Sequence, residues 1–375
     1  MSLRVWLSPI NTLAFLEGGG HLWAYLNWAL GLRALGADVT WLEWVADAGE
    51  AARRERDVRV LRERLRAHGV TLALAAWNGE RLPAPLSTLC PGLADADGAD
   101  LLLNFRYGCR PEVVSRFRRS ALVDIDPGLL QVWMSEGQIE VARHDVYFTI
   151  GETVGRPGSR CPDGGVPWQW TPPPVHLDAW PPVAAPPGAP YTTVSTWWGE
   201  WLKWGGELLA NDKRASFLEF AALPRVAGAP LELALCLGEG DDADRRLLEG
   251  QGWRVRDARE VGGTAEGYRG YIQRSRGEFS CAKPSCMRLQ NAWISDRTIC
   301  YLASGKPAVV QHTGPSRFLP DRAGLLRFRD VEEAARRLRE VEADYERHCR
   351  LARALAEEHF DARTVVARVL ERALG

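Results

Sequence analysis

Residues 277–314 contain the side chains best suited to binding an anion. Ser295, Asp296 and Arg297 stand directly before an apolar run, residues 298–303, which predicts a short helix. Ser and Asp are favoured at helix N-caps, and a helix begins with free N–H groups and the positive end of its dipole. A guanidinium adds a fork of donors that matches phosphate oxygens. The pattern predicts a phosphate site, and its alternative is a simple N-cap beside an exposed arginine.

Further polar residues flank this predicted helix. Glu278, Ser280 and Lys283 lie in what reads as a polar loop before it, and Thr313 and Gly314 lie in a turn after the strand that follows it. Ligands of α/β proteins bind in the crevice outside the carboxyl ends of the strands. We therefore expect these residues to contact the same ligand.

A glycine triplet near the N-terminus forms a second candidate site. Gly19 and Gly20 permit a close approach of the backbone to a ligand, and His21 follows them at the start of a predicted helix. An imidazole there suits a general base at neutral pH. The alternative is a flexible loop with a capping histidine. The spacing differs from G-x-G-x-x-G, which disfavours a nicotinamide enzyme.

Carboxylates end two predicted strands of this N-terminal part. Asp124 and Asp126 form a D-x-D pair, which suits a divalent metal bridging diphosphate oxygens. The alternatives are that Asp126 orients His21, as an aspartate does in a catalytic triad, or that it only stabilises a turn. Glu152 is a second candidate base, and its alternative is a surface glutamate.

The end of the first predicted strand in the C-terminal half offers a hydroxyl and an aromatic ring. Thr196 suits a contact with a diphosphate, and Trp197 suits stacking on a nucleobase. A core role for this tryptophan is the alternative interpretation.

Strands and helices must alternate to position these residues. Apolar strand patterns are separated by helical periodicities in both halves of the chain, which predicts parallel sheets. The stretch between the halves is too rich in proline for a helix or an interior strand. We predict an α/β protein with two Rossmann-like domains facing across a cleft: 1–165; 166–190, a Pro-rich linker; 191–358; and 359–375, a further C-terminal helix.

Composition excludes several classes of function. The 375 residues are 46% hydrophobic and 25% charged, with a formal net charge of -1, so a nucleic-acid-binding surface is not expected. No apolar run reaches the ~18 residues that a membrane span needs, and no signal-peptide pattern is present. The eight cysteines are scattered, without zinc-site spacing. We expect a cytoplasmic protein that inserts into no membrane and needs no metal.

The chain resembles the GT-B-fold glycosyltransferases, bacterial enzymes that use nucleotide sugars. Residues 295–314 look like the donor-binding loop, helix and strand of that fold, and residues 18–43 look like its first loop, helix and strand. Residues 360–374 resemble the C-terminal helix that crosses back to the first domain. Where the family places an acidic residue for the donor ribose, this chain has Cys300 or Tyr301.

The resemblance implies a metal-independent transfer of a sugar from a nucleoside-diphosphate sugar to a small-molecule acceptor such as a natural product. It also implies that domain 1–165 binds the acceptor, that domain 191–358 binds the donor, and that helix 359–375 returns to the first domain. Ser295, Arg297 and Lys283 would neutralise the leaving diphosphate. His21 would be the general base, with Asp126 as its partner, which implies inversion; without His21 as base, retention stays open. The alternatives are a nucleotide-sugar epimerase and a catalytically silent subunit that activates a partner. A homodimer is compatible with all three.

Overall fold

Two parallel α/β domains make up the protein. The structure is a computed structural model that describes residues 2–46, 50–77, 82–199, 201–319 and 321–375. Each domain has one parallel sheet between helices, which confirms the fold class predicted from the sequence.

The N-terminal sheet has the strand order β3-β2-β1-β4-β5-β6-β7, and its paired strands are all parallel. Its strands read as apolar runs because helices cover both faces of a parallel sheet. The last strand lies in the proline-rich stretch and takes the edge position, where proline is tolerated. The elements are β1 (Arg4–Ser8), α1 (Gly19–Ala34), β2 (Asp38–Val45), α2 (Ala51–Ala67), β3 (Thr71–Ala76), α3 (Ala84–Leu89), β4 (Leu101–Asn104), α4 (Pro111–Val114), β5 (Arg119–Asp124), α5 (Leu129–Ser135), β6 (Val146–Thr149) and β7 (Trp168–Trp170).

The C-terminal sheet has the order β12-β11-β8-β13-β14-β15 and is also parallel, while β9 and β10 form a separate antiparallel hairpin. Its strands are β8 (Tyr191–Thr196), β9 (Leu202–Trp204), β10 (Glu207–Leu209), β11 (Leu231–Cys236), β12 (Arg254–Asp257), β13 (Gly277–Ser280), β14 (Ala308–Gln311) and β15 (Leu325–Phe328). Its helices are α6 (Lys213–Glu219), α7 (Pro224–Ala227), α8 (Asp242–Gly250), α9 (Ala258–Gly262), α10 (Ala265–Arg274), α11 (Pro284–Leu289), α12 (Asp296–Ala303), α13 (Val331–Ala343), α14 (Tyr345–His359) and α15 (Ala362–Leu374).

Strand β13 corrects the interpretation of residues 278–280 as loop. Glu278 and Ser280 lie on a buried strand between β8 and β14. A strand with two polar residues gives no apolar pattern, and here Arg297 from α12 donates to Glu278 Oε1 and to the Ser280 hydroxyl. The sequence pattern therefore failed because the compensating partner lies elsewhere in the chain.

One apolar cluster runs through both domains. It joins Leu101 of the N-terminal sheet and Trp23 of α1 to Tyr268 of α10 and Ile299 of α12. The Trp23 indole N–H also donates to the carbonyl of Ala265, at 2.8 Å. The two domains are therefore in direct contact along α1.

Helix α15 packs against the N-terminal domain. At Gly31 of α1 an added Cβ would lie 2.9 Å from a methyl group of Val366, so the two helices touch closely. Arg119 at the start of β5 donates to the carbonyl of Ala373, at 2.9 Å. In the described ranges no helix is long and apolar enough to cross a membrane.

Candidate functional site

A cavity of about 650 Å³ lies between the two domains. Its walls are the segments that follow β1 and β5 in the N-terminal domain and β8 and β13 in the C-terminal domain, together with the starts of α1, α6 and α12. This is the position at the carboxyl ends of parallel strands where α/β proteins bind ligands. We call this cavity the cleft.

Lys213 brings a buried ammonium group to the cleft. Its side chain is only 6% exposed, and its Nζ donates to the carbonyl of Cys281, at 2.5 Å. The same Nζ lies 5.2 Å from the ring of Trp293, another residue of the cleft wall. Burial, reinforced by the positive charges of Arg297 and Lys283, lowers the pKa of Lys213 to about 8. Among the described residues Lys283 and Arg297 each pair with a carboxylate, whereas Lys213 forms no ion pair.

Lys283 and Asp126 form an ion pair across the cleft. The Lys283 Nζ lies 2.5 Å from the Asp126 Oδ2, and both side chains are partly exposed. Burial acts to lower the pKa of Lys283, but the charge of Asp126 outweighs it and raises the value. The pair joins the two domains at the point where the sequence predicted a donor contact and a catalytic partner.

Arg297 is held inside the protein by three acceptors. Its Nε donates to Glu278 at 2.8 Å, one Nη donates to the carbonyl of Val194 at 3.1 Å, and the other donates to the hydroxyl of Ser280. Burial acts to lower the pKa of Arg297, and Glu278 overcomes this and raises it. A guanidinium has five N–H groups, so two are left to face the cleft. Glu278 and Ser280 lie behind Arg297 and are not part of the cleft wall.

The N-terminus of α12 is already partly capped. The Ser295 hydroxyl accepts from the Arg297 amide at 3.2 Å, and the Asp296 carboxylate stands at the first helical position. Burial raises the pKa of Asp296, and Arg297 and His21 oppose that effect. Ser295 and Asp296 both line the cleft, as predicted, but they offer an anion fewer free N–H groups than the sequence suggested.

His21 lies in the cleft wall with a defined tautomer. Its Nε2 is 2.6 Å from the carbonyl of Ile10, which can only accept, so Nε2 carries the proton and Nδ1 keeps the lone pair. The rings of Phe15 and Tyr25 meet the imidazole edge-on at 5.8 and 5.3 Å. Burial lowers the pKa of His21, while Ile10 and the charge of Asp296 partly offset this. The imidazole is therefore neutral at neutral pH and able to accept a proton.

Asp126 is not the hydrogen-bond partner of His21. Its carboxylate pairs with Lys283, and the acidic residue whose charge acts on His21 is Asp296. Asp124, the other member of the D-x-D pair, is fully buried. Its oxygens accept from neighbouring side chains, which leaves them no room for a metal: Tyr107, Gln131 and Thr149. Among the described residues no cluster of three or more His, Cys, Asp or Glu side chains is arranged to hold a metal ion.

The glycine triplet contacts the other domain. A Cβ added to Gly19 would lie 2.1 Å from the carbonyl oxygen of Thr264, and one added to Gly20 would lie 2.6 Å from the ring of Tyr268. Both glycines also line the cleft. Close packing of the two domains thus requires these glycines, whether or not a ligand approaches them.

Besides Glu278 and Ser280, four more predicted site residues lie outside the cleft. Trp197 is fully buried and donates to Asp244, at 2.9 Å, so it cannot stack on a nucleobase. Glu152 accepts from Ser316 and from the amide of Arg317 in the other domain, so it is not a base in the cleft. Thr313 and Gly314 contact the segment that precedes α12. The Thr313 hydroxyl donates to the carbonyl of Trp293 at 2.6 Å. Gly314 has a φ of +126° and packs on the backbone of Gln290. The cleft does include Thr196.

The sequence alone did not reveal several residues of the cleft wall. Lys213 stands at the start of a short helix with no motif around it, and its only signal is that lysine is rare in this arginine-rich chain. The cleft is also lined by aromatic and apolar residues of the N-terminal domain: Tyr107, Leu129 and Trp133. The C-terminal wall therefore holds three cations and Asp296, and the N-terminal wall combines aromatic and apolar side chains with Glu17 and Asp126.

Comparison with known proteins finds similarity in structure and none in sequence. No family model matches the chain, and no curated protein matches it. Among solved structures, the Anabaena protein HepE in complex with UDP is 12% identical, with a TM-score of 0.53 over 99% of both chains. AviGT4, a glycosyltransferase involved in avilamycin A biosynthesis, is 17% identical, with a TM-score of 0.50 over 99% of this chain and 97% of that one. A trehalose-6-phosphate protein from E. coli bound with UDP-2-fluoro glucose is 11% identical, with a TM-score of 0.51 over 99% of both.

These similarities extend over nearly the whole chain and establish the fold. The protein has the two-domain GT-B fold that the sequence predicted.

Proposed function

We propose that the protein is a metal-independent glycosyltransferase that moves a sugar from a nucleoside-diphosphate sugar to a small-molecule acceptor. One observation carries the proposal: two buried or paired lysines, an arginine and a neutral histidine face the same cavity in a GT-B fold. The cations come from the C-terminal domain, and His21 comes from the N-terminal domain.

In this proposal the C-terminal wall binds the donor diphosphate. Lys213 carries a charge that burial disfavours, and a bound diphosphate supplies the missing counter-charge. Lys283 is held nearby by Asp126, and the two remaining N–H groups of Arg297 add donors. Fixed donors aimed at the oxygens that gain charge are the largest catalytic contribution expected of such a site.

The N-terminal wall activates the acceptor. Nδ1 of His21 accepts the proton of an acceptor hydroxyl or amine as that atom bonds to the anomeric carbon. The bond from this carbon to the diphosphate breaks at the same time, and its electron pair leaves with the diphosphate. Asp296 then stabilises the imidazolium that forms. Attack opposite the leaving group inverts the anomeric carbon.

The acceptor is expected to be a small molecule with an aromatic or apolar body. Tyr107, Leu129 and Trp133 form the wall opposite the cations, and rings of this kind bind flat apolar ligands. Contact between the domains along α1 would exclude water from the cleft and limit hydrolysis of the donor.

The test is an assay of UDP release with acceptor libraries. UDP-glucose is the first donor to use, because solved structures with this fold contain UDP or UDP-glucose. We expect a glycosylated product in the presence of a chelator, and its loss in the His21→Gln variant with UDP binding retained. Interconversion of the sugar without an acceptor would instead identify an epimerase. UDP binding without turnover over a broad donor and acceptor panel would favour a silent subunit.

A further inference from the structure

A second cavity of about 360 Å³ lies on the seam between the domains. It shares no lining residue with the cleft. Its walls are residues 152–160, which follow β6, and residues 315–317, which follow β14, together with Gln290. We call it the seam cavity.

Hydrogen bonds between the two domains fix the walls of the seam cavity. The Glu152 carboxylate, only 4% exposed, accepts from the Ser316 hydroxyl and from the amide of Arg317 at 2.8 Å. The Thr153 hydroxyl donates to the carbonyl of Gln290, at 3.3 Å. Hydrogen bonds between the two domains therefore hold the walls of the seam cavity in fixed positions.

Three arginines line this cavity without partners. They are Arg156, Arg160 and Arg317. All three side chains are exposed, and within the described ranges none of their guanidinium groups forms an ion pair or a hydrogen bond, whereas three less exposed arginines of this protein each pair with a carboxylate. The one acidic residue in the walls is Glu152, and both its oxygens are used by uncharged donors. Three positive charges against one negative charge leave a formal charge of +2.

The guanidinium group of an exposed arginine is ordinarily hydrated by water, apart from other cations. These three instead converge on one cavity, two from the N-terminal domain and one from the C-terminal domain. Like charges brought together in this way repel each other, and a shared anion removes the repulsion.

The wall segment at Gln290 is also strained. Gln290 and Ala292 have φ angles of 50° and 55°, the left-handed region that residues other than glycine rarely adopt. Such strain persists where the surroundings enforce it, and it is concentrated at ligand sites and switches. Here Gly314 packs against the Gln290 backbone and holds it in place.

We infer that the seam cavity binds the phosphate group of a small organic phosphate. Guanidinium groups bind phosphate oxygens in pairs of parallel hydrogen bonds, and three guanidinium groups belong to the lining of this cavity. A volume of about 360 Å³ lies within the range of small-molecule sites, ~300–1,000 Å³. It equals the liquid volume of roughly twelve waters, which leaves room for an organic body beside the phosphate. The ligand bridges the two domains because both supply its donors.

The test is calorimetric titration of the full chain, first saturated with UDP so that the cleft is occupied. One arm uses a hexose 6-phosphate and the other uses inorganic phosphate, both at low ionic strength. We expect binding of at least one of them, and a loss of tenfold or more in affinity in the Arg156→Gln/Arg317→Gln double variant. Arg246→Gln, an exposed arginine of α8, is the control and should leave the affinity unchanged. Tighter binding of the hexose phosphate identifies an organic ligand, and equal binding identifies the free anion.

Two results overturn the inference: equal affinities in the wild type and the double variant, or no binding of either phosphate. The outcome does not depend on the proposed function. If UDP does not bind the cleft, the same titration in a Lys213→Met background still reports on the arginines of the seam cavity alone.

Discussion

Replacing Lys213 by methionine should weaken nucleotide binding without a large loss of stability. Methionine keeps most of the apolar length of the side chain and removes the ammonium group. In the free protein that group is buried, and its charge is partly uncompensated. If the proposed function is correct, the charge of Lys213 therefore contributes to the affinity for the nucleotide and not to the stability of the fold.

The size of the stability effect follows from the pKa. A fall in the pKa from 10.5 to about 8 means that the folded state disfavours the proton by about 3 kcal/mol, at roughly 1.4 kcal/mol per pKa unit. Losing the hydrogen bond to the Cys281 carbonyl costs about 1–3 kcal/mol. The two effects nearly cancel at pH 7, so the free energy of unfolding should change by about 0 to +2 kcal/mol.

The pH dependence has a definite sign. Because the folded pKa of Lys213 lies below the unfolded value, the unfolded chain holds more protons between about pH 8 and 10.5. The charge of Lys213 therefore lowers the free energy of unfolding below about pH 8, and this destabilisation disappears as the pH rises from about 8 to 10.5. The methionine variant should lack that part of the pH dependence.

The affinity for UDP should fall where stability rises, both in the Lys213→Met variant and in the wild type above pH 8. Removing one charge-assisted hydrogen bond costs about 1.5–3 kcal/mol, or roughly 10- to 150-fold in the affinity for UDP at pH 7. In the wild type the affinity should fall by up to about tenfold per pH unit above pH 8, since the free lysine is then neutral. The variant should lose this dependence.

Lys306 provides a matched control. It is fully buried, burial lowers its pKa to about 8, and it lies outside the cleft. Lys306→Met should therefore stabilise the protein while leaving UDP binding unchanged. Thermal unfolding and UDP titration at pH 7 and 9.5 would measure both variants. A loss of more than 2 kcal/mol in Lys213→Met, or an unchanged UDP affinity, would refute the reasoning.

Three further outcomes are expected. His21→Gln should lower kcat by about 10²–10⁴-fold with little change in donor affinity. Because burial lowers the pKa of His21, the wild-type rate should stay level as the pH is lowered to neutrality and fall only in acid; a rate that already falls as the pH is lowered from 8 to 7 would contradict this. Arg297→Met should destabilise the protein by about 3–5 kcal/mol in chemical denaturation, since it leaves the buried charge of Glu278 unpaired, and an unchanged midpoint would count against this pair. Gly19→Ala should push the domains apart at the Thr264 carbonyl and lower the melting temperature, whereas unchanged stability and activity would show that the contact gives way easily.

The sequence was informative where one local pattern determines the structure. Residues 298–303 have apolar side chains between a serine cap and a glycine, and α12 forms there because caps and periodicity act within a few residues. The glycine triplet likewise marked a place of close approach, although the neighbour proved to be a loop of the other domain.

The sequence misled where distant residues supply the partner. The polar Glu278 predicts a loop because nothing local explains a buried carboxylate, whereas its ion-pair partner, Arg297, lies nineteen residues later. Asp126 was paired with His21 on an analogy, but Lys283 is the cation that reaches it. Such choices depend on how the two domains dock, which no short stretch of sequence records.

The apolar cluster shared by the two domains has a consequence for how the protein folds. Trp23 of α1 and Tyr268 of α10 belong to the same buried cluster, so neither domain completes its core alone. A half expressed by itself would expose that surface to water and tend to aggregate. The two domains should therefore melt together in one cooperative transition, and the molecule is better regarded as a single folding unit with a cleft in it.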